Sequence, residues 1–356
     1  MKQLTTRGAP DAALAAAEKL DNPTTVTIVA GQQAGLFGGP IFTLFKGLTA
    51  IAVAREVSEK YKVNAVPVFW VHAEDHDLEE ISNCSVLTSD FEFETITIPH
   101  DASSSQPAST VRLNDSIVST LNRLRELLPN TEFTDSVVNK LSNAYQPGRG
   151  IVEAFSLWMD TLLGPHGLVV FDASDAAVKS IARPLFQLEL DTAGGTSRLA
   201  TESGSALIAK GYHAQVTSSQ HSTGLFFLND GRQAIRLTTD KRTPEREFDI
   251  GGKVLSLQQI SANLAKNPAV FSPNVLLRPI IQDKIFPTVA TIAGPSELAY
   301  LGQLRQVYKH FDIPMPIIYP RTSATIVDQG TLRLMERYDV RFEMLQAQDD
   351  GVPVSY

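Results

Sequence analysis

Two short apolar, β-branched runs, Val26–Ala30 and Val66–Val71, flank a stretch with helical spacing, and this arrangement limits the fold more than any other feature of the chain. Between them, Ile41–Lys60 sets Phe42, Phe45, Leu48, Ala52 and Val53 for one helical face, and Pro40 suits a first helical turn. Strand, helix and strand in that order make a βαβ unit, whose crossover makes the two strands parallel. Neither run alternates polar with apolar residues, as expected of strands covered on both faces. A second unit lies near the end, with Ser296–Phe311 reading as a helix between the strands Val289–Ala293 and Met315–Tyr319, and Leu168–Phe171 reads as a further strand. The expectation is an α/β protein with a Rossmann-like, five-stranded parallel core in the order 3-2-1-4-5.

More chain separates these strands than single helices need, which implies two insertions. The core is assigned to 22–84, 151–192 and 284–328. The first insertion, 85–150, opens with alternating FEFETITI, reaches the amphipathic VSTLNRLRELL and reads as mixed. The second, 193–283, carries GYHAQV, TGLFFLNDGRQAIRL and FDIGGKVLSL with NDG and GG turn signals and reads as β-rich. Residues 329–356 read as the start of a helical region cut short. No apolar run approaches the roughly 18 residues of a membrane span, and the cytoplasm is the expected compartment. A single cysteine, Cys84, excludes an intrachain disulfide and any zinc site needing several cysteines. The net charge of −8, from 31 basic and 39 acidic residues without long like-charge runs, argues against a nucleic-acid surface and for small-molecule partners.

Open α/β sheets bind ligands at the carboxyl ends of their strands, so the segments reaching that edge are the candidates for chemistry. In VTIVAGQQAGLFGGPIFTLFK the first strand passes through Gly31, Gln32, Gln33, Gly35, Gly38 and Gly39 into a helix. Converging amides and the helix dipole can hold phosphate or carboxylate there, although neither a Walker A nor a GxGxxG spacing is present. The alternative is that the glycines only make a tight turn. After the second strand, WVHAEDHDLEEIS gathers Glu74, Asp75, Asp77, Glu79 and Glu80 with His72 and His76. Asp75 or His76 could accept a proton from an attacking amine. His72 and His76 could instead ligate a metal, though Ala73 stands where a zincin needs glutamate, or the segment could be an acidic first helical turn. At the end of the third strand FDASDAA offers Asp172, Ser174 and Asp175, of which Ser174 and Asp175 could simply cap the following helix. Gly294 and Glu297 suit ribose recognition or capping, and Arg321 with Ser323 suits a phosphate, a carboxylate or a surface ion pair. The remaining histidines, His100, His166, His213, His221 and His310, show no ligand spacing.

Taken together and in order, GQQAGLFGGPIFTLFK, VPVFWVHAEDHDLEE, GLVVFDASD, GYHAQV, FSPNVLLRPIIQD, AGPSELAY and PRTSA resemble the bacillithiol biosynthesis cysteine ligase family over most of the chain. The resemblance implies a Rossmann-like core with two connecting insertions, similar to class I aminoacyl-tRNA synthetases. It implies an amide formed between L-cysteine and glucosaminyl malate in the last step of bacillithiol synthesis. It marks Gly31, Gln32, Gln33, Gly39 and Pro40 in the first loop, Glu74, Asp75, His76, Asp77 and Glu79 in the acidic motif, and Asn274, Arg278 and Gln282 in a third motif. Family members extend further before the first strand and end in a helical coiled coil that makes a homodimer, so the chain reads as a short form lacking most of that coil. Because a free carboxylate does not acylate an amine at neutral pH, ATP or another nucleotide is expected, through an adenylate or acyl phosphate, with Mg²⁺ permitted. In that reading the Gly31–Gly39 loop holds phosphate and Asp75 or His76 is the base. Two alternatives are a metal-dependent hydrolase or deacetylase built on His72 and His76, and a non-catalytic nucleotide-binding module.

Overall fold

The computed structural model describes residues 1–90, 92–99, 106–219, 221–229, 231–238 and 246–345. It divides into two units, 1–321 and 322–356.

In the first unit, α1 (Lys2–Arg7) and α2 (Asp11–Glu18) precede β1 (Val26–Gln32). Helix α3 (Ile41–Tyr61) crosses to β2 (Ala65–Val71), which runs parallel to β1 from Val26↔Ala65 to Gln32↔Val71. The short α4 (Leu78–Ile81), the hairpin β3 (Asn83–Leu87) and β4 (Phe93–Thr97), and the helices α5 (Ser116–Leu127) and α6 (Thr134–Ala144) follow. Helix α7 (Ile151–Leu163) returns the chain to β5 (Val169–Asp172), beyond which lie α8 (Ala176–Asp191) and α9 (Gly195–Ile208). An antiparallel sheet then forms from β6 (Ser222–Asn229), β7 (Gly231–Leu237), β8 (Glu247–Ile250) and β9 (Lys253–Ser256); α10 (Leu257–Lys266) leads to its last strand, β10 (Phe271–Pro273), which pairs with β6. Helix α11 (Arg278–Ile285), β11 (Thr288–Ala293), α12 (Pro295–Leu301), α13 (Arg305–His310) and β12 (Ile317–Pro320) complete the unit.

The main sheet has the order β5-β2-β1-β11-β12 with every neighbouring pair parallel, which is the expected 3-2-1-4-5 arrangement. Alternate residues of each central strand enter different cores. Ile28, Ala30, Phe69 and Val71 join Phe155 and Met159 of α7, whereas Val29, Val68 and Trp70 join Ala13 of α2, Phe186 of α8 and Tyr308 of α13. Side chains alternate across a strand, so a strand sandwiched between two helical layers must be apolar throughout. The N-terminal helices belong to one of these layers: Leu4 and Ala13 are buried, and Arg7 donates to Asp160 Oδ2 at 2.9 Å and to the Val170 carbonyl at 2.7 Å.

Two expectations are corrected. The single helix read over Ser296–Phe311 is two, α12 and α13, broken around Gly302–Leu304. At the break Gln303 is fully buried, and its terminal amide pairs with both backbone groups of Val216, accepting at 3.0 Å and donating at 2.9 Å. GYHAQV correspondingly joins no strand ladder; its end is held by that side chain. In the NDG turn Asn229 pairs with Gly231 across β6 and β7, while Asp230, like His100, lies outside the described residues.

The second unit contains α14 (Gln329–Arg337), whose start is capped by Asp328 accepting from the backbone amides of Gly330 and Thr331 at 2.7 and 3.0 Å. Among the described residues no helix is long and apolar enough to cross a membrane.

Candidate active site

The order of the main sheet reverses between β1 and β11, and in such folds the crevice outside the carboxyl ends at this point receives ligands. A cleft of about 600 Å³ opens here. That is within the roughly 300–1,000 Å³ usual for small-molecule sites. Every element around the switch contributes: Gln32 ends β1 and Gln33 follows it, His72, Asp75 and His76 follow β2, Gly294 to Glu297 follow β11, and Arg321 follows β12. The antiparallel sheet adds Phe226 and Arg232, and the segment behind it adds Asn274 and Arg278.

Lys46 binds the two βα halves together. It lies on α3 with only 2% of its side chain exposed, and its Nζ donates to the Gly31 carbonyl at 2.9 Å, to Gln32 Oε1 at 2.8 Å and to Glu297 Oε2 at 2.5 Å. Burial lowers the Lys46 pKa, and Glu297 opposes that shift. Glu297 also accepts from the Gly294 amide at 2.8 Å, so the side chain considered for ribose recognition caps its own helix and neutralises a lysine.

His72 is buried and donates its backbone N–H to the Gln32 carbonyl at 2.9 Å. Burial, then the nearby Arg278 and Lys46 charges, hold its pKa well below the ordinary histidine value, so the ring is neutral. A Cβ on Gly31 would stand 2.8 Å from His72 Nε2 and 3.1 Å from the Trp70 carbonyl; glycine is required here for close approach.

The first loop and the acidic segment lie side by side, as expected. Gln33 Nε2 donates to Glu80 Oε2 at 2.6 Å and, more weakly, to Asp75 Oδ2 at 3.4 Å. Asp75 Oδ1 accepts from the His76 backbone amide at 2.8 Å. Asp77 caps α4 by accepting from the Glu80 amide at 3.1 Å, and Glu74 turns away to pair with the buried Lys179 of α8 at 2.5 Å. Asn274 lines the cleft while its Oδ1 accepts from the amides of Leu276 and Leu277, both at 3.0 Å. The capping reading describes Asp175, which caps α8 by accepting from the Ala177 amide at 2.9 Å, whereas Asp172 at the end of β5 accepts from the Ser174 amide at 2.8 Å.

Gly35 and Gly39 do not form the expected backbone anion cradle. The amide of Gly35 donates to the Gln33 carbonyl at 2.9 Å, that of Gly38 to the Gly35 carbonyl at 3.1 Å and that of Gly39 to the Leu36 carbonyl at 2.9 Å. These three glycine amides find acceptors within the loop, and Gly39, at φ +69°, faces a separate depression of about 710 Å³ shared with Cys84. The positive charge at the cleft comes instead from Lys46, Arg232, Arg278 and Arg321, the last lying 5.3 Å from the centre of the Phe42 ring. Ser323 belongs to the second unit. Among the described residues no three His, Cys, Asp or Glu side chains gather as a metal site; His72 has cations for neighbours, and Arg232 occupies one ring nitrogen of His76. Sequence reasoning missed Lys46 and Arg232. Lys46 stands out as the one charge in IFTLFKGLTAIAVA, whereas nothing local marks Arg232, which is 156 residues from His76 in the chain.

Fold and cleft together define a Rossmann-type α/β protein whose switch-point cleft is completed by an inserted antiparallel sheet. Residues 1–322 match the family model described as bacillithiol biosynthesis BshC, N-terminal Rossmann-like domain, and the chain belongs to this family. Relatives bearing the name "Putative cysteine ligase BshC" include those of Salinibacter ruber, 36% identical over 90% of this chain and 58% of the relative, and Chlorobaculum tepidum, 37% identical over 90% and 56%. That of Koribacter versatilis is 35% identical over 97% of this chain and 63% of its own length. The chain thus spans less than two-thirds of these relatives.

Proposed function

We propose that the cleft forms an amide between the carboxyl group of cysteine and the amino group of glucosaminyl malate, the last step of bacillithiol synthesis. What carries this reading is one juxtaposition, in a family whose relatives are named for cysteine ligation: the cations Lys46, Arg278 and Arg321 share a switch-point cleft with Asp75 and His76. Both substrates bear carboxylates, and arginines recognise carboxylate and phosphate alike. ATP or another nucleotide, with Mg²⁺ on its phosphates, would supply the leaving group that a free carboxylate lacks. The cleft suits such an anion in volume and charge, and Arg278 and Arg321 are the residues that would hold it.

The chain's own part is to hold and relieve charge. Asp75 is 25% exposed, and among the described residues its Oδ2 has only the long contact from Gln33, which leaves it able to accept a proton from the attacking ammonium. Lys46 fixes Gln32 and Glu297, while Phe226 and Val216 give the cleft an apolar wall. The test is incubation with cysteine, glucosaminyl malate and ATP, following the mass of the amide and the release of AMP or ADP. Amide formation with stoichiometric nucleotide cleavage is expected. Its absence from both this chain and a full-length relative would refute the reading.

A further inference from the structure

We propose that Arg232, contributed by β7 of the inserted sheet, is a positioning residue that locks His76 as the Nε2–H tautomer, so that His76 offers the cleft a hydrogen-bond donor and not a proton acceptor. As a statement about catalysis, this rests on the amide-forming reading above. Arg232 Nη1 lies 3.1 Å from His76 Nδ1. A guanidinium has donors only and keeps its proton, so the lone pair in this contact must belong to Nδ1. A neutral imidazole carries a single ring proton, which is then on Nε2.

Arg232 is itself held in place. Its Nη2 donates to the Pro273 carbonyl at 2.8 Å, its central carbon lies 3.9 Å from the centre of the Phe226 ring, and only 8% of its side chain is exposed. Burial works against its charge, but Asp75 and Glu74 sustain it. The His76 ring leans on the same phenylalanine, with 6.2 Å between ring centres. The guanidinium therefore cannot leave Nδ1 without also giving up its ring contact and a partly buried hydrogen bond.

This separates the roles of two adjacent residues. An imidazole that accepted a proton would become a second cation against Arg232, whereas Asp75 can take one on Oδ2 while its Oδ1 keeps the His76 amide. The Nε2–H of His76, on a side chain that lines the cleft, suits an acyl oxygen that becomes more negative as the amide forms.

The test is a two-bond ¹H–¹⁵N correlation spectrum of the chain labelled with ¹⁵N-histidine, at a pH where the ring is neutral, with the His76 signals assigned by their loss in His76→Gln. The expected pattern is an unprotonated Nδ1 and a protonated Nε2, replaced by exchanging tautomers in Arg232→Met. A protonated Nδ1 in the wild type overturns the proposal even if Arg232→Met does not fold, and so does an unchanged pattern in a folded Arg232→Met. These spectra need no substrate and are decided however the ligase assay falls. Where amide formation is measurable, His76→Gln, which retains a side-chain N–H, should stay within about tenfold of wild type while His76→Ala loses about 10²–10³-fold. Equal losses in both variants would overturn the donor role.

Discussion

Replacing Lys46 with methionine keeps the length of the side chain and removes the charge that joins the two halves of the sheet. Removing one member of a buried ion pair usually costs about 3–5 kcal/mol. Glu297 is 22% exposed and retains the Gly294 amide, which moves the expected cost to the lower end, about 3 kcal/mol. The Gly31 carbonyl and Gln32 Oε1 also lose a donor, partly offset by the apolar methionine in a site that water barely reaches. Glu297→Gln leaves the ammonium buried among neutral acceptors and should cost about 2 kcal/mol. The double variant strands no charge and should cost about 3 kcal/mol, giving a coupling near 2 kcal/mol, inside the range for contacting residues. Urea unfolding followed by circular dichroism, with the dependence on denaturant unchanged among the four proteins, measures all three values. A coupling below about 0.5 kcal/mol would show that the pair is independent and would refute its role as the clasp of the cleft.

Three other perturbations separate the remaining readings. Gly39→Val should destabilise the fold by about 1–3 kcal/mol, because valine is strained at the positive φ of this turn; selective loss of anion binding at unchanged stability would restore the cradle reading. Asp75→Asn should lower amide formation by about 10²–10⁴-fold. The same change withdraws one of the two carboxylates that sustain the buried Arg232 charge and should cost about 1–3 kcal/mol, and a comparable rate in the variant would remove Asp75 as the base. Burial pushes the Asp283 carboxyl from 3.8 to about 6 while Tyr308 donates to it at 2.5 Å. A folded-state pKa above the unfolded value gives stability that is complete below about pH 4 and lost as pH rises through about 6. Asp283→Asn should flatten that part of the curve, and a difference between the two proteins that is constant across this window would contradict the burial argument.

Strands and their order were legible because a parallel sheet covered on both faces leaves continuous apolar runs and its crossovers leave little choice of topology. The split of Ser296–Phe311 was not legible, since the partner of Gln303 is a backbone segment 87 residues away. That Gln32, Gln33, Asp75, His76, Gly294 and Arg321 would line one cleft was legible because strand ends are recognisable and the sheet gathers them. Gly35 and Gly39 were misread for a physical reason: clustered glycines announce a tight turn and an anion cradle equally well, and only an account of where each amide donates tells them apart. Arg232 had no local signature, because its function is created by a strand of the inserted sheet arriving beside the acidic segment.

The pairing of Gln303 with Val216 makes one amino-acid side chain stand in for a neighbouring β-strand, offering a donor and an acceptor to the same residue. Substituting glutamate removes the donor, leucine removes both groups and lysine removes the acceptor, so chemical similarity is a poor guide to tolerance at this position. None of these changes would alter a group lining the cleft, yet each would free the wall that Val216 and Ser218 supply. A genetic lesion at Gln303 should therefore present as weakened substrate capture, and a survey of variants ranked by distance from the reacting groups would overlook its cause.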